Sequence, residues 1–175
     1  MSNNYYSDSA PCFKKATIKL NSIPAYQYDS NVAAEYKAKK ITKAEVLEIY
    51  ESMLTIREFE EMILKCRTGA YEIISDYDYR GPTHLSIGQE ATAAGVCSVL
   101  NITDFITSTH RGHGHCIAKG AQLDRAMAEL MGKATGYCKG RSGSMHIADF
   151  KAALGQRAGL VKSYCFNPCK RLYVV

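Results

Sequence analysis

A chain of 175 residues with 46% apolar residues is long enough for one domain with a real core. Its formal charge of +5 comes from lysines scattered among acidic residues, which describes a solvated surface with a mild preference for anions. No basic-aromatic stripe, zinc-finger spacing or long apolar run is present, so neither nucleic-acid binding nor a membrane span is expected.

Seven cysteines (12, 66, 97, 116, 138, 165 and 169) are an odd, widely spaced set without a preceding signal peptide. Reduced thiols and a cytoplasmic location are the expectation. The first twenty residues hold Asp8 and no arginine, unlike an arginine-rich transit peptide. Residues 1–40, rich in Asn, Ser, Tyr and Lys, read as an extended amino-terminal arm.

Thr42-Lys43-Ala44-Glu45 has the form of a capping box and predicts a helix start. Val46, Ile49, Tyr50, Met53, Ile56, Phe59, Met62 and Ile63 recur at three- and four-residue intervals up to about Cys66, and Gly69 follows as a stop. Such a stripe reads as core or interface. Tyr71 to Arg80 reads as a loop. Gly81-Pro82 breaks the chain before a helical pattern from about Gly88 to Leu100, which leaves His84 just ahead of a helix amino terminus, a place that favours anions in a ligand.

Asp104 to Ser108 suits a short buried strand that delivers the loop Ser108 to His115, where three of the five histidines concentrate around Arg111. A fixed guanidinium flanked by glycines suits phosphate oxygens. Two other readings of this loop stand beside it: a zinc site of His110, His113, His115 and Cys116, for which no CxxC or HExxH pattern speaks, and a polar surface turn. Leu123 to Met131 predicts another short helix, followed by Gly136 to His146, a second cationic glycine-rich loop. Two such loops favour a shared phosphate ligand. The order of elements fits an α/β layer fold, and with one convincing strand it reads as the opening portion of a larger domain.

Four stretches, Thr83-His84-Leu85-Ser86-Ile87-Gly88-Gln89-Glu90, Ser108 to His115, Gly132 to Gly136 and Lys139-Gly140-Arg141-Ser142-Gly143-Ser144-Met145-His146, resemble in order and spacing the alpha subunit of the decarboxylating component of 2-oxo acid dehydrogenase complexes, of pyruvate, acetoin or branched-chain type. The resemblance runs from about Ile41 to Val161. It implies an α/β thiamine-diphosphate-binding fold that is incomplete here, mostly helical with few strands. It divides the chain into an arm (1–40), the amino-terminal part of the domain (41–161) and a divergent tail (162–175).

The resemblance also implies thiamine diphosphate with magnesium, a dehydrogenase beta subunit in a hetero-oligomer, a small 2-oxo acid substrate and a lipoyl-bearing acyltransferase component. By position, His84 and His113 would be catalytic, while His110, Arg111, Gly159 and Val161 would hold the cofactor. Lys139, Arg141, Ser142 and His146 would belong to a loop that orders over the active site. The family's magnesium motif, Gly-Asp-Gly with a downstream asparagine, is missing from the sequence. A diphosphate without its metal clamp lacks charge compensation, so a truncated chain, inactive alone and weak in cofactor binding, is expected. The alternative is a non-catalytic module docking on a beta subunit through the helix from Thr42 to Cys66.

Overall fold

The computed structural model describes residues 27–72, 75, 77–79, 81–101 and 104–149, together with the backbone of 154–156 and 172–174. In chain order these form α1 (Val32–Lys37), α2 (Lys43–Arg67), α3 (Glu90–Ser98), β1 (Phe105–Ser108), α4 (His113–Ala118), α5 (Leu123–Leu130), a 3-10 turn (Gly143–Met145), β2 (Ala148–Asp149), β3 (Leu154–Gln156) and β4 (Leu172–Val174). All of these elements belong to one unit that begins at Val32.

The expected capping box forms at the start of α2. Thr42 Oγ1 accepts from the Glu45 N–H at 3.2 Å, and the Glu45 carboxylate accepts from the Thr42 N–H at 2.7 Å, so two otherwise orphaned donors are satisfied. Gly69, at φ +72°, turns the chain after the helix in a conformation that costs glycine little. Ile56, Phe59 and Ile63 lie in the core, each contributing about 1.5–3 kcal/mol by burial. The outer part of the predicted stripe differs: Tyr50 is 57% exposed. Periodicity continues beyond the length of helix that α3 and α4 cover, because these two partners span only nine and six residues.

A further difference is α1, which lies within the stretch read as an extended arm. It buries no residue and is held by its own turn and by a Lys40–Glu35 ion pair at 3.2 Å, which local helix formers in Val-Ala-Ala-Glu-Tyr-Lys suffice to explain. The rest of that arm, residues 1–26, lies outside the described residues.

β1 is the hub of a four-stranded sheet in the order β2-β3-β1-β4. It pairs parallel with β3, Ile106 opposite Leu154, and parallel with β4, Ile106 opposite Tyr173, while β2 and β3 are antiparallel. The sequence shows only β1 as a strand because the other three have two or three residues each, too few for an alternating pattern to register. Mostly helical with few and short strands, the portion conforms to the expected α/β class.

The core joins α2, α3 and α4 behind β1: Ile56, Phe59, Ile63, Ala93, Cys97, Ile106, Cys116 and Ile117 meet there with Ile147. Gly114 is where α4 comes closest. A Cβ at that position would meet Ala93 Cβ and Ile56 Cγ2, each at 3.3 Å, so the helices could not keep this separation with a larger residue.

Candidate functional site

β1 ends at Ser108 and the chain turns at His110 and Arg111 before α4 begins at His113. The histidine-rich stretch is therefore split. His110 stays on the turn, whereas His113 and His115 enter α4 and are buried. The spacing of this stretch predicts one ligand-facing loop for all three. The short apolar continuation Cys116-Ile117-Ala118 draws the preceding residues into a helix that packs on α2 and α3.

Across from this turn runs the segment that carries His84. The rings of His84 and His110 meet edge to face, 4.7 Å between centroids at 86°. The Arg111 guanidinium donates through Nη1 to the Leu85 carbonyl, which fixes the fork beside both rings while leaving further N–H donors directed elsewhere. His84, His110 and Arg111 thus converge from two segments 26 residues apart. Burial first, then the charges of His110 and Arg111, hold the His84 imidazole below its ordinary pKa. It is consequently neutral at pH 7, with a lone pair to take a proton.

His113 occupies a different environment. It is 1% exposed, its Nδ1 lies 2.8 Å from Glu60 Oε1, and its Nε2 lies 3.0 Å from both the carbonyl oxygen and Oγ of Ser144. Glu60 is buried in the middle of α2 and accepts two more hydrogen bonds, from the Ser86 hydroxyl at 2.9 Å and the Ser86 N–H at 3.1 Å. Ser144 Oγ in turn accepts from the His84 N–H at 3.3 Å. A catalytic assignment for His113 thus meets a ring with both nitrogens engaged by protein groups.

The second glycine-rich loop is organised around its own anion. Glu129, wholly buried on α5, accepts from the N–H groups of Cys138 (2.7 Å), Gly140 (2.9 Å) and Ser142 (2.8 Å), and from the Ser142 hydroxyl (2.8 Å). Burial opposes its ionisation, but the amides of Ser142 and Gly140 and the Ser142 hydroxyl outweigh it, and the carboxyl titrates below its ordinary value. The cationic, glycine-rich composition of this loop predicts a phosphate shared with the first. These donors are instead taken by Glu129, a residue whose role no local pattern announces.

Ser142 is therefore an anchor within the loop, while Lys139, Arg141 and His146 are exposed on it. Lys139 adopts φ +60°, a left-handed conformation uncommon for a side-chain-bearing residue. Ser142, Gly143, Ser144 and Met145 face Tyr79, Gly81 and Pro82 across a cleft of about 90 Å³, just ahead of His84. Gly159 and Val161, the other cofactor-binding candidates, lie outside the described residues. Among the described residues no three His, Cys, Asp or Glu side chains are grouped so as to hold a metal ion. No helix among them is long and apolar enough to cross a membrane.

The family model of the dehydrogenase E1 component matches residues 52–162, and the chain belongs to that family. It is 49% identical over 121 residues to the alpha subunit of acetoin:2,6-dichlorophenolindophenol oxidoreductase of Bacillus subtilis, covering 69% of this chain and 34% of the relative. The corresponding subunit of Cupriavidus necator is 41% identical over 124 residues, covering 71% and 35%. The pyruvate dehydrogenase E1 component subunit alpha-3 of rice, a chloroplastic protein, is 41% identical over 111 residues, covering 61% and 24%. The chain thus spans about a third or less of the length of these curated relatives. Membership of this family implies dependence on thiamine diphosphate.

Proposed function

We propose that the chain is the amino-terminal portion of the alpha subunit of a 2-oxo acid dehydrogenase of acetoin or pyruvate type, working on thiamine diphosphate with magnesium beside a beta subunit and delivering the acyl group to a lipoyl-bearing acyltransferase. The observation that carries this reading is the convergence of His84, His110 and Arg111, in a chain of the E1 family. The donor set suits a diphosphate: a guanidinium fork is held in place by the Leu85 carbonyl, and two imidazoles flank it.

In this reading the cofactor, when bound, supplies the nucleophilic carbon and the electron sink for decarboxylation. Arg111 holds diphosphate oxygens, and His110 orients the His84 ring. His84, neutral because of its surroundings and without a ring hydrogen bond among the described residues, accepts and returns a proton. His113 supports the fold around these groups from beneath. Gly159 and Val161 contribute backbone to the cofactor, and Lys139, Arg141, Ser142 and His146 shape the loop beside it. The thiols of Cys66, Cys97 and Cys138, free among the described residues, suit a cytoplasmic location.

Calorimetric titration of the chain with thiamine diphosphate and magnesium tests this reading. Weak saturable binding is expected, falling about 10- to 100-fold in the Arg111→Met variant, the worth of a hydrogen bond to a charged group. An absence of binding by the wild-type chain, or affinity unchanged in the variant, overturns it.

A second reading, a non-catalytic module docking on a beta subunit, is favoured by Leu47, Tyr50 and Leu54. They line one side of α2 at 54%, 57% and 45% exposure. Co-purification with a beta subunit, without any affinity for the cofactor, would select it.

A further inference from the structure

Glu60 interrupts the apolar side of α2 with a wholly buried carboxylate, and its hydrogen-bond partners among the described residues are Ser86 and His113. The Ser86 hydroxyl and N–H both donate to it. A carboxylate can only accept, so the 2.8 Å contact with His113 requires a proton on Nδ1. In the neutral ring Nε2 is then the lone-pair nitrogen, and it accepts from the Ser144 hydroxyl at 3.0 Å. With its proton committed there, Ser144 Oγ is the acceptor for the His84 N–H.

We propose that Glu60 is a positioning residue that sets the polarity of this whole chain of hydrogen bonds, from the His84 N–H to the Ser144 hydroxyl, to His113 Nε2, and from Nδ1–H to Glu60. The network ties α2, the His84 segment, α4 and the 3-10 turn to a single buried anion, and the residues it joins are as far as 60 positions apart in sequence. Ser86 makes the restraint on the His84 segment twofold, since that segment is held from one side by Glu60 and from the other by Ser144. The ring of His84 is thereby aimed by its backbone, without Glu60 touching it. The catalytic consequence rests on the role given to His84 above, but the polarity of the network does not.

Removing the acceptor makes the test direct. In Glu60→Leu neither carboxylate oxygen is left to accept from His113 Nδ1 or from Ser86. With no acceptor opposite Nδ1, the ring proton moves to Nε2, from which it donates to the Ser144 carbonyl 3.0 Å away. Nitrogen-15 NMR of the full chain labelled on histidine, with His113 assigned by a His113→Gln variant, reads the tautomer. The expected results are a proton on Nδ1 in the wild type, retention of that tautomer in Glu60→Asp, and transfer to Nε2 in Glu60→Leu, with amide exchange at His84 and Ser86 faster by about tenfold or more.

A wild-type ring protonated on Nε2, alone or together with Nδ1, overturns the proposal, as does an unchanged tautomer in a folded Glu60→Leu chain. The wild-type measurement decides even if that variant does not fold. A failure here leaves cofactor binding through Arg111 untouched, and a failure of cofactor binding leaves the tautomer as it is, so the two readings fail separately.

Discussion

Ser142 gives both its N–H and its hydroxyl to the same oxygen of Glu129, each at 2.8 Å. Removing the hydroxyl leaves the amide bond in place, so Ser142→Ala should cost about 1 kcal/mol, the net worth of one hydrogen bond. Removing the carboxylate in Glu129→Ala leaves three loop amides without their acceptor, and the cost should rise to about 3 kcal/mol. Urea unfolding of the two variants checks the order. Equal losses would show that the loop is held by something other than this carboxylate.

Two glycines make that arrangement sterically feasible. A Cβ on Gly136 would stand 2.6 Å from both Cα and N of Glu129, and one on Gly140, at φ +72°, would run into the backbone of Gly132. Gly136→Ala and Gly140→Ala should each destabilise by more than about 2 kcal/mol, since backbone must move to admit the methyl. Gly95, on the exposed side of α3 with nothing within 4 Å of a Cβ, gives the opposite expectation: alanine there stabilises by about 0.5–1 kcal/mol. Thermal unfolding of the three variants side by side settles the contrast.

Stability toward acid should depend on Glu90. Arg57 Nε donates to its carboxylate at 2.7 Å across the α2–α3 contact, and this bond, aided by the Gly88 N–H, holds the Glu90 carboxyl down to about 2 despite its burial. The folded chain then binds fewer protons than the unfolded chain between the ordinary glutamate value, about 4.3, and that lowered value. The stabilisation is full above the upper limit and is lost as the pH falls through the window. Arg57→Met, which removes the partner, should shift acid unfolding to higher pH, measured by circular dichroism during acid titration. No displacement of the midpoint would mean that the exposed arginine adds nothing.

A second pH dependence lies nearer neutrality. His115 Nδ1 is 3.0 Å from Ser108 Oγ, its Nε2 is buried without a partner among the described residues, and burial holds the ring below the ordinary imidazole range. With the folded-state pKa lowered, stability is whole above about 6.5 and declines as the pH drops and the unfolded chain takes up the proton first. Replacing both partners, in Ser108→Ala with His115→Leu, should abolish this slope and leave stability at pH 8 within about 1 kcal/mol of wild type, because no buried group is then orphaned. Chemical denaturation at several pH values between 5 and 8 measures the slope.

What the sequence made legible were the features written within one turn or one short segment. The capping box at Thr42, the stop at Gly69 and the extent of α5 follow from neighbours three or four positions apart. Glu60 and Glu129 were not legible. Each is an acidic residue on a helix, normally a sign of a solvated side, and its burial is decided by donors that arrive from 9 to 53 positions away. Tyr50 shows the converse: it keeps helical register with the core residues but extends past the helices that would cover it. The division of the histidine-rich stretch into a half-buried turn and a buried helix likewise depends on the approach of Ile56 and Ala93 to Gly114, which no local pattern encodes.

Because β3 and β4 flank β1 on both sides, the longest strand among the described residues has no open side, and the sheet's margins fall to β2 with two residues and β4 with three. Strands so short offer a foreign chain few amides and carbonyls in register, so recruitment of further copies by strand addition is disfavoured at the margins themselves. A pairing of three residues between the tail and β1 thus doubles as protection against fibrous self-assembly.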